Sequence, residues 1–151
     1  SMPLAVVPAG WSGGVERMVV GLDGSAPSLA TVPWVGDVAV ATGAEVVAVV
    51  VREPFFEWTP ADDPRNWRRD AERSLGEWTE SLTAAGLTVC LRAERDLHPA
   101  DGLLRAAAEE NADLVVVATR GLGGFLGLRA GGTSMKVLHA ADRPLVLVPE
   151  S

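Results

Sequence analysis

Short apolar runs alternate with longer amphipathic segments along this chain. The clearest run, residues 46–51, is β-branched except for Ala48, and such runs are typical of parallel strands that are covered on both faces. They predict five strands, at residues 19–22, 46–51, 87–93, 114–118 and 144–149. The strands are separated by segments of helical length, so the expected fold is α/β, a doubly wound parallel sheet with right-handed crossovers.

Helices are predicted in the four segments between these strands, at residues 26 to about 43, 63–86, 99–113 and 133–141. Either Asp23 or Ser25 is expected to cap the first helix. Pro33 falls inside that helix and should kink it, at a cost of about 3 kcal/mol if nothing compensates. Trp34, Trp67 and Trp78 fall on the inner helical stripes, which favours packing over ligand stacking.

The composition narrows the classes of protein to consider. The chain of 151 residues fits one domain, and its net charge of −7 gives nucleic-acid binding little electrostatic support. No apolar run approaches the roughly 20 residues of a membrane helix, and the amino terminus lacks the basic flank of a secretory signal. With a single cysteine, Cys90, expected in the core, a cytoplasmic protein without membrane association is predicted.

The amino terminus contains an internal repeat. Residues 3–8 (PLAVVP) repeat the pattern of the last predicted strand, residues 144–149 (PLVLVP). We therefore divide the chain into an extension or linker at 1–14 and a domain at 15–151, and we hypothesise that the extension is the last strand of a preceding homologous domain. As a true strand it is expected to pair with the edge of the last strand. The alternative is a disordered extension with accidental similarity.

Two loops carry the candidate chemistry. Asp23-Gly24-Ser25 follows the first predicted strand, and the segment 119–132, in which six of fourteen residues are glycine, follows the fourth. If those strands are neighbours, the loops face one pocket at the carboxyl ends of the strands. Glycine backbone N–H groups and the start of the next helix suit a phosphate. The segment matches neither a P-loop, because it lacks the lysine, nor the dinucleotide-binding fingerprint.

The order and spacing of these residues resemble the nucleotide-binding branch of the universal stress protein family. That branch carries G-x-x-G, nine residues, then G followed by Ser or Thr; here Ala118 to Gly121, nine residues, then Gly131-Gly132 occupy the frame. The resemblance extends over about residues 16–149. It implies a three-layer sandwich like that of the adenine nucleotide alpha hydrolases, with strand order 3-2-1-4-5 and a homodimer through the last strand.

The resemblance also implies a ligand and its binding residues. The ligand is ATP, with AMP and cyclic AMP as alternatives, accompanied by Mg²⁺ and bound between the first and fourth strands. Asp23 is expected near the ribose, phosphates or metal, and Val51 beside the adenine. The complete set of expected binding residues is Leu22, Asp23, Val51, Ala118, Arg120, Gly121, Gly124, Gly131, Gly132, Thr133 and Ser134.

Two departures from the family pattern leave alternatives open. Ala118 replaces a glycine by another small residue, but Gly132 replaces a phosphate-binding Ser or Thr, and Ser134 only partly replaces that hydroxyl. A member that has lost nucleotide binding and acts as an interaction domain is therefore the alternative function. No nucleophile, base and orienting group can be assembled, and His98 fits a helix start better than a catalytic base. We expect no enzyme, or at most slow ATP hydrolysis, rather than an adenylylating activity.

Overall fold

The computed structural model describes residues 2–54, 66–119 and 142–149. Within these residues the sheet has six strands in the order β1-β6-β5-β2-β3-β4. The strands are β1 Leu4–Val6, β2 Arg17–Gly21, β3 Glu45–Arg52, β4 Val89–Arg95, β5 Leu114–Ala118 and β6 Leu145–Val148. Strands β2 to β6 are mutually parallel and follow the predicted order 3-2-1-4-5, so the predicted fold class is confirmed.

The sixth strand comes from the amino-terminal extension. β1 pairs antiparallel with β6, on the edge where we expected it. This same edge was expected to join two subunits of a homodimer. A homodimer through β6 would therefore require β1 to leave that edge.

Two predicted helices are each divided in two. The described helices are α1 Ala26–Leu29, α2 Thr31–Thr42, α3 Trp67–Trp78, α4 Glu80–Ala84 and α5 Pro99–Glu109. Pro33 does not kink a helix interior as predicted, because the break falls earlier, at Ala30. Pro33 then lies in the first turn of α2, where a missing N–H removes no intrahelical hydrogen bond. The helix predicted at 133–141 lies outside the described residues.

Several element boundaries differ from the prediction by a few residues, and at two of them the local backbone explains the difference. β4 begins at Val89 rather than Leu87, since the N–H of Leu87 donates to the Leu82 carbonyl (3.1 Å) and belongs to the helix end. α5 ends at Glu109 rather than near Asp113, because Asn111 adopts a left-handed conformation (φ 52°) that stops a helix.

The core lies on both faces of the sheet. On one face α2, α3 and α4 pack over alternate residues of the strands, represented by Met18 and Val20; on the other, α5 packs over Val19 and Val47. The three tryptophans Trp34, Trp67 and Trp78 pack against the first cluster, which confirms the inner stripes.

Cys90 is not in the core, contrary to the prediction. It is exposed on β4, the last strand of the described sheet on that side. The following residue, Leu91, is also exposed. The apolar run therefore reflects an edge strand rather than a strand buried on both faces.

Candidate functional site

The carboxyl ends of β2, β3 and β5 meet at one rim of the sheet. β2 and β5 are parallel neighbours, and Val20 lies opposite both Val116 of β5 and Ala48 of β3. Leu22 and Ala118 each follow by two residues, so the strand ends are level. From this point the chain continues from β2 to β3 on one side and from β5 to β6 on the other, which makes it a topological switch point.

The loop after β2 is held by its own side chains. Asp23 Oδ1 accepts hydrogen bonds from the backbone N–H (2.8 Å) and the hydroxyl (2.5 Å) of Ser25. Ser25 is the N-cap of α1, and its Oγ accepts from the N–H of Ser28 (3.3 Å). The sequence analysis gave Asp23 and Ser25 as alternative caps of this helix. In the structure Ser25 is the cap, and Asp23 holds Ser25 in place through these hydrogen bonds.

The second carboxylate oxygen of Asp23 is not used in this turn. Oδ2 is buried and has no hydrogen-bond partner among the described residues. An unpaired buried polar group of this kind costs about 1–3 kcal/mol. A hydroxyl donor or a cation at this position would satisfy the oxygen, so the turn presents an acceptor at the switch point.

Gly24 fixes the approach of this turn to α3. Its φ of +83° lies in the left-handed region, and a Cβ built on it would lie 2.7 Å from Cζ2 of Trp78. Only glycine meets both requirements without a shift. The sequence predicted that Trp78 packs on the inner face of its helix. Only the tertiary structure shows that its ring lies directly behind this turn.

The end of β3 is shaped by a glycine that the sequence analysis missed. Val51 is half-buried, and a Cβ on Gly102 of α5 would lie 2.9 Å from Val51 Cγ1 and 3.1 Å from the Cβ of Asp96. Gly102 therefore allows α5 to approach the strand end closely. The available signal was a glycine inside an otherwise helical pattern, which often marks a packing constraint.

The start of α5 is held by a carboxylate rather than by its N-cap side chain. His98, the N-cap, is exposed and makes no side-chain cap hydrogen bond, in line with its expected place at a helix start. Asp96 Oδ1 accepts from the His98 N–H (2.8 Å), and Oδ2 accepts from Arg105 (2.8 Å). These two donors, the N–H first, hold the pKa of the Asp96 carboxyl below its usual value.

Several expected binding residues lie outside the described residues: Arg120, Gly121, Gly124, Gly131, Gly132, Thr133 and Ser134. The described part of the chain places Leu22, Asp23, Val51 and Ala118 at the same rim of the sheet. It contains no cluster of three or more His, Cys, Asp or Glu side chains arranged for a metal ion.

A cleft at the opposite rim of the sheet is a less suitable ligand site. It is lined in part by Glu16, Arg17, Glu45 and Asp113. Asp113 Oδ2 already accepts from the N–H groups of Glu16 (2.8 Å) and Arg17 (3.0 Å), and Arg17 pairs with Glu45 (3.0 Å). These contacts fasten the starts of β2, β3 and β5 together, so the polar groups there have structural partners.

Comparison with known proteins decides the family. The sequence profile of the universal stress protein family matches residues 14–149. The chain belongs to the universal stress protein family. A universal stress protein of Mycobacterium tuberculosis is 32% identical over 148 residues, covering 89% of this chain and 45% of the relative. This universal stress protein domain thus spans about half the length of the mycobacterial relatives that it matches.

Solved structures share the fold. A universal stress protein in complex with cAMP has 27% identity and a TM-score of 0.66, covering 90% of this chain and 98% of its own. One from Archaeoglobus fulgidus in complex with dAMP has 16% identity and a TM-score of 0.62, covering 87% and 96%. The latter supports the fold alone. Among the described helices of this universal stress protein domain, none has the length and apolar character to cross a membrane.

Proposed function

We propose that this universal stress protein domain binds an adenine nucleotide between the ends of β2 and β5 and acts as a stress-response signalling module. The observation that carries the proposal is the buried Oδ2 of Asp23 at the switch point, which has no hydrogen-bond partner in the part of the chain that the structure describes. Ligands of open α/β sheets bind at this place, and a buried acceptor without a donor fits a site completed by a ligand.

The carboxylate of Asp23 is negatively charged and only accepts hydrogen bonds, which restricts the parts of a nucleotide that it can contact. A carboxylate accepts hydrogen bonds from ribose hydroxyls and binds Mg²⁺, whereas a phosphate oxygen would repel it. Mg²⁺ is commonly held by one or two carboxylates together with the phosphates, so a single carboxylate fits a metal that arrives with ATP. Asp23 would thus hold the ribose or Mg²⁺.

The phosphates require a different set of groups. With a net charge of −7, the domain must hold them mainly through oriented N–H and hydroxyl donors. By the family resemblance, these come from the glycine loop and the helix start, through Gly121, Gly131, Thr133 and Ser134. Val51 and Leu22 would then line the adenine side and Ala118 the phosphate side.

The relatives support this ligand class. The universal stress protein solved with cAMP shares 27% identity with this chain over 90% of its length. ATP with Mg²⁺, AMP and cyclic AMP are therefore the ligands to compare. We propose binding without turnover in the cytoplasm, with the nucleotide altering the strand pairing at the edge of β6, the last strand.

The test is to measure bound and added nucleotides. Purified protein is denatured and the released small molecules are chromatographed; ATP with and without Mg²⁺, AMP and cyclic AMP are then titrated by calorimetry. We expect saturable heat with at least one nucleotide. If no nucleotide is released and no heat is measured, the interaction-domain alternative is favoured. Gly132 supports that alternative, because glycine has no hydroxyl to bind a phosphate. Product formation that is lost in Asp23→Ala would favour an enzyme.

A conservative variant tests the role of Asp23. Asp23→Asn keeps an oxygen that can accept from Ser25 but replaces the free Oδ2 by a donor. The lost charge-assisted contact is expected to weaken binding about 10- to 100-fold, or about 1.5–3 kcal/mol. Asp37→Asn, at an exposed carboxylate of α2, is the matched control and should bind like the wild type. Unchanged affinity in a folded Asp23→Asn protein would disprove the assigned role.

A further inference from the structure

The pairing of β1 with β6 has a two-fold symmetry that the amino-terminal repeat makes visible. Aligning residues 3–8 with 144–149 makes Leu4 equivalent to Leu145, Ala5 to Val146 and Val6 to Leu147. In the sheet, however, Leu4 lies opposite Leu147, Ala5 opposite Val146, and Val6 opposite Leu145. Exchanging the two strands therefore reproduces the same set of pairs, with the axis at the Ala5–Val146 pair.

This register is what two equivalent strands adopt when they join two homologous domains. An isologous contact places the same residues on both sides of a two-fold axis. An unrelated extension that added to the edge of β6 would be free to pair in other registers. The repeat and its register therefore point together to β1 as the counterpart of β6.

β1 is more exposed than its apolar sequence leads one to expect. This indicates that a part of the natural protein outside residues 1–151 covers it. β6 is buried along its whole length, whereas Leu4 is 57% and Val6 is 38% exposed. Val7 and Met2 are also exposed, and β1 is the outermost strand of the described sheet. Consecutive apolar residues on an unpaired edge are normally covered in a native protein.

The path of the chain permits a domain in the same polypeptide to supply this cover. β1 ends with Val6 opposite Leu145 at the start of β6, so it leaves at the rim where β2 also begins. About ten residues connect β1 to β2, with a reach of roughly 33 Å. The connection has to cross only three strand spacings, from β1 past β6 and β5 to β2, which amount to about 14 Å. The family match begins only at residue 14, so β1 lies outside the domain that follows it.

We propose that β1 is the last strand of a second universal stress protein domain that precedes this one in the same polypeptide. The two domains form one continuous sheet across the β1–β6 ladder. The helices and neighbouring strand of the preceding domain cover both faces and the outer edge of β1. The M. tuberculosis relative, of which this chain matches 45%, has length for a further domain of similar size.

The register is tested first, in the full chain with Cys90→Ser. Cysteines introduced by Ala5→Cys and Val146→Cys are directly opposite, and Cα atoms of such pairs lie within disulfide range. The control pairs Ala5→Cys with Val148→Cys, two residues away along β6. We expect the first pair to oxidise within the monomer at least about tenfold faster than the control. Equal rates would overturn the proposal.

The second measurement identifies the covering domain. An antibody raised against this chain is used on a lysate of the cells that express the natural protein. The expected band is about twice the 15.8 kDa of this chain, and its peptides should include a second family domain that ends in PLAVVP. A band near 15.8 kDa, or a preceding segment unrelated to the family, would overturn the proposal even if the disulfide forms.

Discussion

Replacement of Gly24 by alanine tests the contact that positions the Asp23 turn. Gly24 has a φ of +83°, and an added Cβ would lie 2.7 Å from Trp78 Cζ2 and 3.1 Å from Cη2. An L-residue in the left-handed region costs roughly 1–2 kcal/mol. Overpacking against a ring costs about 1–3 kcal/mol more. We expect Gly24→Ala to lower the free energy of unfolding by about 2–5 kcal/mol.

Gly43 provides a matched control for the backbone part of this cost. It has a similar φ of +74°, follows the end of α2, and has no atom within 4 Å of an added Cβ. Gly43→Ala should therefore cost only the backbone term, about 1–2 kcal/mol. Both variants are measured by urea unfolding followed by circular dichroism, with the denaturant slope checked for change.

A double-mutant cycle isolates the contact with the ring. Trp78→Leu removes the aromatic atoms that an alanine at Gly24 would meet, so Gly24→Ala should cost less in that background by about 1 kcal/mol or more. If Gly24→Ala and Gly43→Ala differ by less than about 0.5 kcal/mol, Trp78 does not restrict the turn and the reasoning is wrong.

Three further changes test other parts of the structure. Arg143→Met should cost about 1–3 kcal/mol in urea unfolding, because the Arg143 guanidinium donates to the carbonyls of Ala107 in α5 (2.7 Å) and Ala112 after it (3.0 Å); an unchanged midpoint would contradict this. The lowered pKa of Asp96 adds stability that is present above the ordinary value of about 4 and is lost as pH falls through the lowered value. The acid fall in melting temperature should therefore be shallower in Asp96→Asn, and superimposable curves would refute the role. Cys90 should react with a disulfide reagent in the native protein, whereas reaction only after unfolding would contradict its exposure.

Local patterns were sufficient to find the strands of the described sheet. Short apolar runs identified every parallel strand, and the similarity of the amino terminus to PLVLVP identified the additional strand. Aspartate and glycine after two of the runs marked two strand ends that share one rim, those of β2 and β5. These features depend on residues that are close in sequence, and the family resemblance supplied the strand order.

Local turn geometry and contacts between distant segments decided what the patterns left open. Whether Asp23 or Ser25 caps α1 depended on a turn geometry in which both take part. Cys90 was misplaced because the position of a strand at the edge of a sheet depends on its neighbours and not on its own composition.

The sequence by itself determined the elements, their alternation and the family, because hydrophobic periodicity and loop chemistry are local properties. Only the tertiary structure decided that Trp78 lies behind the turn at Gly24, that one buried oxygen of Asp23 lacks a partner among the described residues, and that β1 meets β6 in a two-fold register. The first and the last depend on distances between segments far apart in the chain, which are set when the helices and strands pack together, and the burial of the Asp23 oxygen follows from the same packing.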